Sequence, residues 1–165
     1  MEFDYDLFTI GAGSGGVAAS RRAAAHGARV AICEDRRIGG TCVLRGCVPK
    51  KLLVYGAHFA EEIEDARGYG WTIEGARLDW GRLVAAKDRE IDRLNGIYVK
   101  LLSGSNVAIH EGRGRIVGPH AVEVGGRSFT ARHILVATGG RPVRLPIPGA
   151  ELALDSDQAL DLPDL

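Results

Sequence analysis

Cys42 and Cys47 stand five positions apart in the stretch Gly39-Gly40-Thr41-Cys42-Val43-Leu44-Arg45-Gly46-Cys47-Val48-Pro49-Lys50-Lys51. A thiol pair can store two electrons by opening and closing a disulfide, and its reactive form is the thiolate. In an ideal helix, residues five apart have Cα atoms roughly 8–9 Å apart. A disulfide needs less than about 7 Å. A bonded pair therefore demands a break in any helix through this segment, and Gly46 with the Gly39-Gly40 pair supplies the freedom for one. A bond closing so small a loop removes little chain entropy, so it is a poor staple and a redox role is the better reading. Two unpaired thiols are the alternative. Lys50, Lys51 and a helix N-terminus nearby are expected to lower a thiol pKa. The third cysteine, Cys33, lies in an apolar run and reads as a small core residue. No second cysteine pair and no histidine stands at ligand spacing, so no metal site is expected.

The elements that would position these thiols lie just upstream. Tyr5-Asp6-Leu7-Phe8-Thr9-Ile10 reads as a short buried strand, and the alanine-rich run over 17–26 as a helix ended by Gly27. Between them is Gly11-Ala12-Gly13-Ser14-Gly15-Gly16, with G-x-G-x-x-G spacing. Gly11 permits a tight turn, Gly13 lets the backbone approach a pyrophosphate, and Gly16 lets helix and strand pack closely. The helix start then offers N–H groups and a positive dipole end to phosphates. A second strand follows over 29–33, with Glu34 at its end, where an acid hydrogen-bonds a ribose hydroxyl. Alone, the glycine spacing is weak evidence. With strand, helix, second strand and acid all in place, it points to a dinucleotide site. An acid rather than a base at Glu34 favours NAD or FAD over NADP.

The stretch from Gly39 to Lys51 resembles the active-site segment of the flavin-dependent disulfide reductases, the class I pyridine nucleotide-disulfide oxidoreductases. The Val48-Pro49-Lys50-Lys51 ending is most similar to the glutathione reductases among them; dihydrolipoamide-linked members usually have Ser where Lys50 stands. Three further stretches agree: Gly13-Ser14-Gly15-Gly16 with Ser20-Arg21-Arg22, Arg93-Leu94-Asn95-Gly96-Ile97-Tyr98, and the run from Ile134 through Ala137-Thr138-Gly139-Gly140 to Pro142. The resemblance covers nearly the whole chain. It implies FAD, held at the Gly11, Gly13 and Gly16 turn with Ser14, Gly15, Glu34 and Thr41. It implies a redox-active Cys42–Cys47 disulfide, with Cys47 nearest the isoalloxazine and Cys42 as the interchange thiol, also bordering the cofactor. Lys50 would sit by the flavin N5, Lys51 being the weaker candidate. Arg113 and Gly114 match the turn bordering the adenine, and Thr138 and Gly139 the strand end closing over the cofactor. Ser14, Arg21 and Tyr98 match positions that contact oxidised glutathione. The residues themselves leave open a solvated helix charge at Arg21, a core position at Tyr98 and a surface lysine at Lys50.

Members of this family are much longer, with an NADPH domain and an interface domain that supplies a His–Glu acid–base pair to the partner subunit of a homodimer. No second G-x-G-x-x-G is present in this sequence. The expected organisation is a core over 1–145 and a crossover over 146–165 leading to an NADPH domain outside the chain. By itself such a segment is expected to hold FAD weakly and to lack turnover. Two other functions stand beside the lead: a different flavin disulfide reductase, with dihydrolipoamide or trypanothione as substrate, and a non-enzymatic FAD-binding module.

Acidic and basic residues balance at 21 each, so no steering field for nucleic acid or a membrane surface is expected. The first strand starts too near Met1 for a basic region and apolar core of a secretory signal, and no run reaches membrane-spanning length. A cytoplasmic setting follows, where a disulfide is more often catalytic than structural. Downstream, 51–66 reads as a helix broken by Gly68-Tyr69-Gly70. An amphipathic helix is expected over 80–102, with Leu83, Val84, Ile91, Leu94, Tyr98 and Leu101 on its apolar face and Lys87, Arg89, Glu90 and Arg93 largely opposite. Short strands are expected over 107–110, 114–117, 121–124, 128–130 and 133–137, with a hairpin turn at Gly125-Gly126. The five histidines, His26, His58, His110, His120 and His133, carry no partner motif and read as surface or turn residues. The expected fold is an incomplete Rossmann-like α/β domain: a parallel sheet flanked by helices, with a small antiparallel meander.

Overall fold

A strand buried on both faces reads as an unbroken apolar run, and the first strand, β1 (Tyr5–Ile10), ends in three fully buried residues, Phe8, Thr9 and Ile10. The computed structural model describes residues 2–164, so the end residues of the expected 1–165 and 146–165 spans lie outside the described residues. After β1 come α1 (Ser14–Ala25), β2 (Val30–Glu34), α2 (Gly40–Arg45), α3 (Cys47–Asp65) and α4 (Trp80–Ser103). Then follow β3 (Val107–Glu111), β4 (Gly114–Gly118), β5 (Ala121–Val124), β6 (Arg127–Val136) and the one-turn α5 (Ser156–Ala159).

The strands form one sheet in the order β3-β2-β1-β6-β5-β4. β3, β2, β1 and the second half of β6 are mutually parallel, with Phe8 opposite both Ala31 and Ile134. β4, β5 and the first half of β6 form the antiparallel meander. The chain proceeds from β1 to β2 and β3 on one side, whereas β6 joins on the other. That reversal opens a crevice at the carboxyl end of β1, the usual ligand site of open α/β sheets. One sheet face packs Ala12, Val17, Val30, Ile32, Leu102 and Val107 beneath the helices; the other packs Phe8, Ile10, Cys33, Val122, Val124 and Phe129 beneath the meander. No described helix is long and apolar enough to cross a membrane.

The sequence separates two strands at 128–130 and 133–137, but the structure joins them as β6. The join costs no backbone break, because the strand only changes partners: Arg127 to Thr130 pair with β5, and Ala131 to Val136 pair with β1. The hairpin at Gly125-Gly126 forms as expected, both residues having positive φ (56° and 79°), the signature of a tight two-residue turn.

Two side-chain placements differ from expectation. Lys87, placed on the polar face of α4, is buried at 3% exposure, while Leu101 is exposed and Leu102 takes the core position. Lys87 can be buried because its Nζ donates to the Leu160 carbonyl at 3.0 Å and meets Asp161 at 2.6 Å and Asp88 at 2.9 Å. Burial pushes its ammonium down, and the two carboxylates outweigh that, leaving it raised. His110 is the second. It is half-buried in β3 with its ring 5.8 Å from Phe8 in a stacked geometry and 4.2 Å from Phe129, and its Nε2 lies 3.1 Å from the Tyr5 hydroxyl. The other four histidines are exposed, as expected.

Burial, aided by the charge of Arg127, lowers the His110 pKa below its ordinary value. The unfolded state then binds more protons than the folded one as pH falls below about 6.5, so stability must drop there. In urea unfolding between pH 7.5 and 5, His110→Phe, which keeps the ring packing, is expected to flatten that loss. An unchanged pH slope would show that His110 titrates alike in both states.

Candidate functional site

The chain leaves β1 at Gly11 with φ 101°. A Cβ there would lie 2.4 Å from the Ala137 carbonyl oxygen and 3.0 Å from the Thr138 Cα, so Gly11 serves the approach of the β6 end as well as the turn. This places Thr138 and the following Gly139 (φ 72°) beside the glycine loop. At Gly16 a Cβ would fall 1.9 Å from the Gly11 carbonyl oxygen, which is the close packing of helix on strand that the spacing implies. Gly13 is the N-cap of α1, with no side-chain cap and no acid in the first turn. The N–H groups of Ser14, Gly15 and Gly16 therefore have no intrahelical acceptor. Ser14 is exposed and the space around Gly15 is open. An anion at this point would meet unpaired donors and the positive end of the helix dipole.

Glu34, at the end of β2, turns its carboxylate to the same loop. Its Oε2 accepts from the Ala12 N–H at 2.7 Å and its Oε1 from the Arg36 N–H at 3.1 Å. A carboxylate has about four acceptor positions, so each oxygen retains capacity for a ribose hydroxyl. Gly114 starts β4 directly over the ends of β1 and β2: a Cβ there would lie 2.6 Å from Cys33 Sγ and 3.0 Å from Ile10 Cγ2. Cys33 itself is buried, and burial raises its thiol pKa, consistent with a packing role. The residues present thus fit a pyrophosphate and a ribose, the recognition elements of a dinucleotide.

The cysteine segment docks on this loop through backbone alone. Gly39 (φ 129°) donates its N–H to the Ala12 carbonyl at 2.9 Å. Gly40 (φ 65°) lies so close that a Cβ would be 2.5 Å from the Gly13 Cα. The sequence assigns this glycine pair to freeing the cysteine loop; the structure assigns it to contact with the dinucleotide loop. From Gly40, α2 carries exposed Thr41 and half-buried Cys42. The expected helix break is present at Gly46 (φ −148°, ψ −109°), where a Cβ would lie 2.9 Å from the Thr41 carbonyl oxygen. α3 begins at Cys47, which is exposed, with buried Pro49 in its first turn, where a missing N–H costs nothing.

All three cysteines are free thiols, so Cys42 and Cys47 stand side by side and unbonded. The expected lowering of a thiol pKa by Lys50 and Lys51 is not met at Cys42. Its pKa is raised, first by the Cys47 side chain beside it and then by burial, and neither lysine acts on it. Lys50 is exposed on the first turn of α3. Lys51 turns away, with its Nζ 6.0 Å from the Tyr55 ring centroid and its charge acting on Glu90 of α4.

Ser14, Arg21 and Tyr98 lie along the seam of α1 and α4. Asn95 Nδ2 donates to the Ile38 carbonyl at 2.6 Å near the start of α1, and Arg21 Nε reaches Ser105 Oγ at 3.4 Å two turns on. The two helices therefore run side by side in the same direction. Ser14 adjoins the cysteine segment through Gly13. Arg21 is half-buried rather than solvated, and half-buried Tyr98 packs against the core beneath the helices. Three supporting residues escaped the sequence reading. Ala12 ties Glu34 and Gly39 together through its peptide groups; Asn95 holds the loop before α2; and the buried Ser20 hydroxyl donates to Thr9 Oγ1 at 2.9 Å. Backbone contacts leave no side-chain signature, whereas a serine in an alanine-rich helix and an asparagine on an apolar stripe were readable signals.

Gly40→Ala should test the docking. An alanine at positive φ costs about 1–2 kcal/mol by itself, which is all that Gly27→Ala (φ 87°, open surroundings) should lose in urea unfolding. Gly40→Ala adds a backbone clash and is expected to lose on the order of 3 kcal/mol or more. Equal losses at the two positions would show that the contact with Gly13 contributes nothing.

The family described as pyridine nucleotide-disulphide oxidoreductase matches residues 5–164. The chain is 55% identical over 163 residues to a protein named glutathione reductase from Burkholderia cepacia, covering 99% of this chain and 36% of that protein. It is 52% identical over 162 residues to glutathione reductase from Nostoc sp. (98% of this chain, 35% of that protein). To the chloroplastic/mitochondrial glutathione reductase of Pisum sativum it is 51% identical over 173 residues (98% of this chain, 31% of that protein). It thus spans about a third of the length of these curated relatives. A dinucleotide loop with a dithiol segment seated on it, matched from the first strand to the last described residue, makes the conclusion direct: the chain belongs to the pyridine nucleotide-disulphide oxidoreductase family.

Proposed function

We propose that this chain is the FAD-binding and dithiol-bearing part of an enzyme that reduces glutathione disulfide with electrons from NADPH. The observation that carries the reading is the seating of the Cys42–Cys47 segment on the glycine loop through Gly40 and Gly13. It supports the reading by bringing two thiols beside a glycine loop that fits a pyrophosphate. The names of the relatives support the substrate. NADPH would bind a further domain, in a homodimeric protein of the cytoplasm, and the crossover from 146 onward would lead toward that domain.

When bound, FAD supplies a carrier that accepts a hydride's two electrons and passes them to a disulfide. The chain's own residues do the rest. The start of α1 and Glu34 would hold phosphate and ribose, and Thr41, Lys50, Thr138 and Gly139 would border the cofactor. Cys42 is the nucleophile: its thiolate attacks one sulfur of glutathione disulfide, forming a mixed disulfide and releasing one glutathione. Cys47 then attacks the Cys42 sulfur and releases the second, leaving the Cys42–Cys47 disulfide. Two electrons and two protons restore the dithiol. Attack requires the Cys42 thiolate, so a base must take its proton; the resemblance to the disulfide reductases assigns that base to the interface domain of the partner subunit. Ser14, Arg21 and Tyr98 orient the tripeptide.

In the full-length protein, Cys42→Ser is expected to lower glutathione disulfide reduction by at least ~10³-fold, the loss typical of a removed nucleophile, with flavin still bound. Cys47→Ser should do the same and also remove the long-wavelength charge-transfer absorption of the reduced protein. Turnover near wild type in either variant would end the dithiol reading. Turnover of wild type with dihydrolipoamide or trypanothione but not glutathione disulfide would reassign the substrate.

A further inference from the structure

The segment beyond the last strand returns to the cysteines. Arg45 is the last residue of α2, between Cys42 and Cys47, and its Nε lies 3.3 Å from Asp157 Oδ1 on α5. Arg36, just past Glu34, approaches the other oxygen of Asp157 at 3.8 Å. α5 cannot drift with its partner, because it is anchored from behind. Asp155 and Gln158 close a capping box around its single turn. Lys87, 3% exposed, takes the Leu160 carbonyl and Asp161, and Trp80 Nε1 donates to the Leu162 carbonyl at 2.9 Å. Asp157 is therefore a carboxylate on an anchored turn, partly exposed, that reaches the peptide linking the two thiols through the Arg45 side chain.

From this we infer that Asp157 is a positioning residue for the thiol pair: through Arg45 it holds the end of α2 in the dithiol geometry and so sets how readily Cys42 and Cys47 join. Joining the sulfurs draws them from contact to bonding distance. Val43 is buried, so closure of the pair draws on the linking residues after it, Leu44, Arg45 and Gly46. Gly46 is free to adjust; Arg45 is clasped. The clasp resists the approach and biases the pair toward two thiols, the state that attacks a disulfide.

The inference rests on the proposed redox role of the pair, and its test separates the two. The full-length protein, without NADPH, is equilibrated in glutathione buffers of graded ratio, where the protein disulfide and two glutathione thiols exchange for the protein dithiol and glutathione disulfide. Acid quenching, alkylation and mass spectrometry then read the bonded fraction. If wild type forms no Cys42–Cys47 bond at any ratio, the redox role itself fails. If it does, Asp157→Asn is expected to shift the equilibrium toward the disulfide by about two- to fivefold, the scale of a half-exposed ion pair. Asp157→Glu, which restores the charge, should return it toward wild type. Arg45→Gln should reproduce the Asn shift from the other side of the clasp and decides the matter if Asp157→Asn does not fold. An unchanged equilibrium, a shift toward the dithiol, or a shift that Glu fails to reverse would overturn the inference.

Discussion

Everything chemical in this chain depends on two backbones touching. Gly13 at the start of α1 and Gly40 at the start of α2 meet with no side chain between them, and the Gly39 N–H to Ala12 carbonyl bond seals the contact. Ala12 also donates to Glu34, so three short segments share one peptide as their joint. A contact without side chains cannot relax by changing rotamer. It holds the thiol segment at a fixed distance from the start of α1, as the proposed electron exchange requires.

The second constraint is the break at Gly46. A continuous helix from Gly40 to Asp65 would spread the two cysteines too far for bonding. The interruption folds the start of α3 back against the Thr41 carbonyl and brings the sulfurs together. Proximity has an electrostatic consequence. Cys42 holds its proton more tightly for having Cys47 beside it, and burial adds to the effect.

The parts legible from sequence were those with local causes. β1, the α1 helix, β5 and the Gly125-Gly126 hairpin follow from apolar runs, glycine placement and turn chemistry, and they form within a residue or a few of the expected bounds. The need for a helix break followed from covalent geometry alone. What was not legible depended on partners remote in sequence. β6 read as two strands because Arg127 to Thr130 and Ala131 to Val136 serve different neighbours. Lys87 read as a surface charge because its acceptors, Leu160 and Asp161, lie more than seventy residues away. His110 read as a surface residue because Phe129, which covers it, comes from a strand not adjacent to β3 in the sheet.

Residue types and spacing by themselves determined the chemistry on offer: a dinucleotide turn, an acid for a ribose, and two thiols that could not share a regular helix. These are properties of short covalent stretches, in which sterics and hydrogen-bonding capacity are set within a few bonds. Tertiary structure alone decided how they combine. It seated the thiol segment on the glycine loop, raised Cys42 through its neighbour rather than lowering it through lysines, and brought Asp157 to Arg45. The physical reason is that charge, burial and close approach depend on distance in space, which a linear chain acquires only when its sheet and helices close around the crevice at the end of β1.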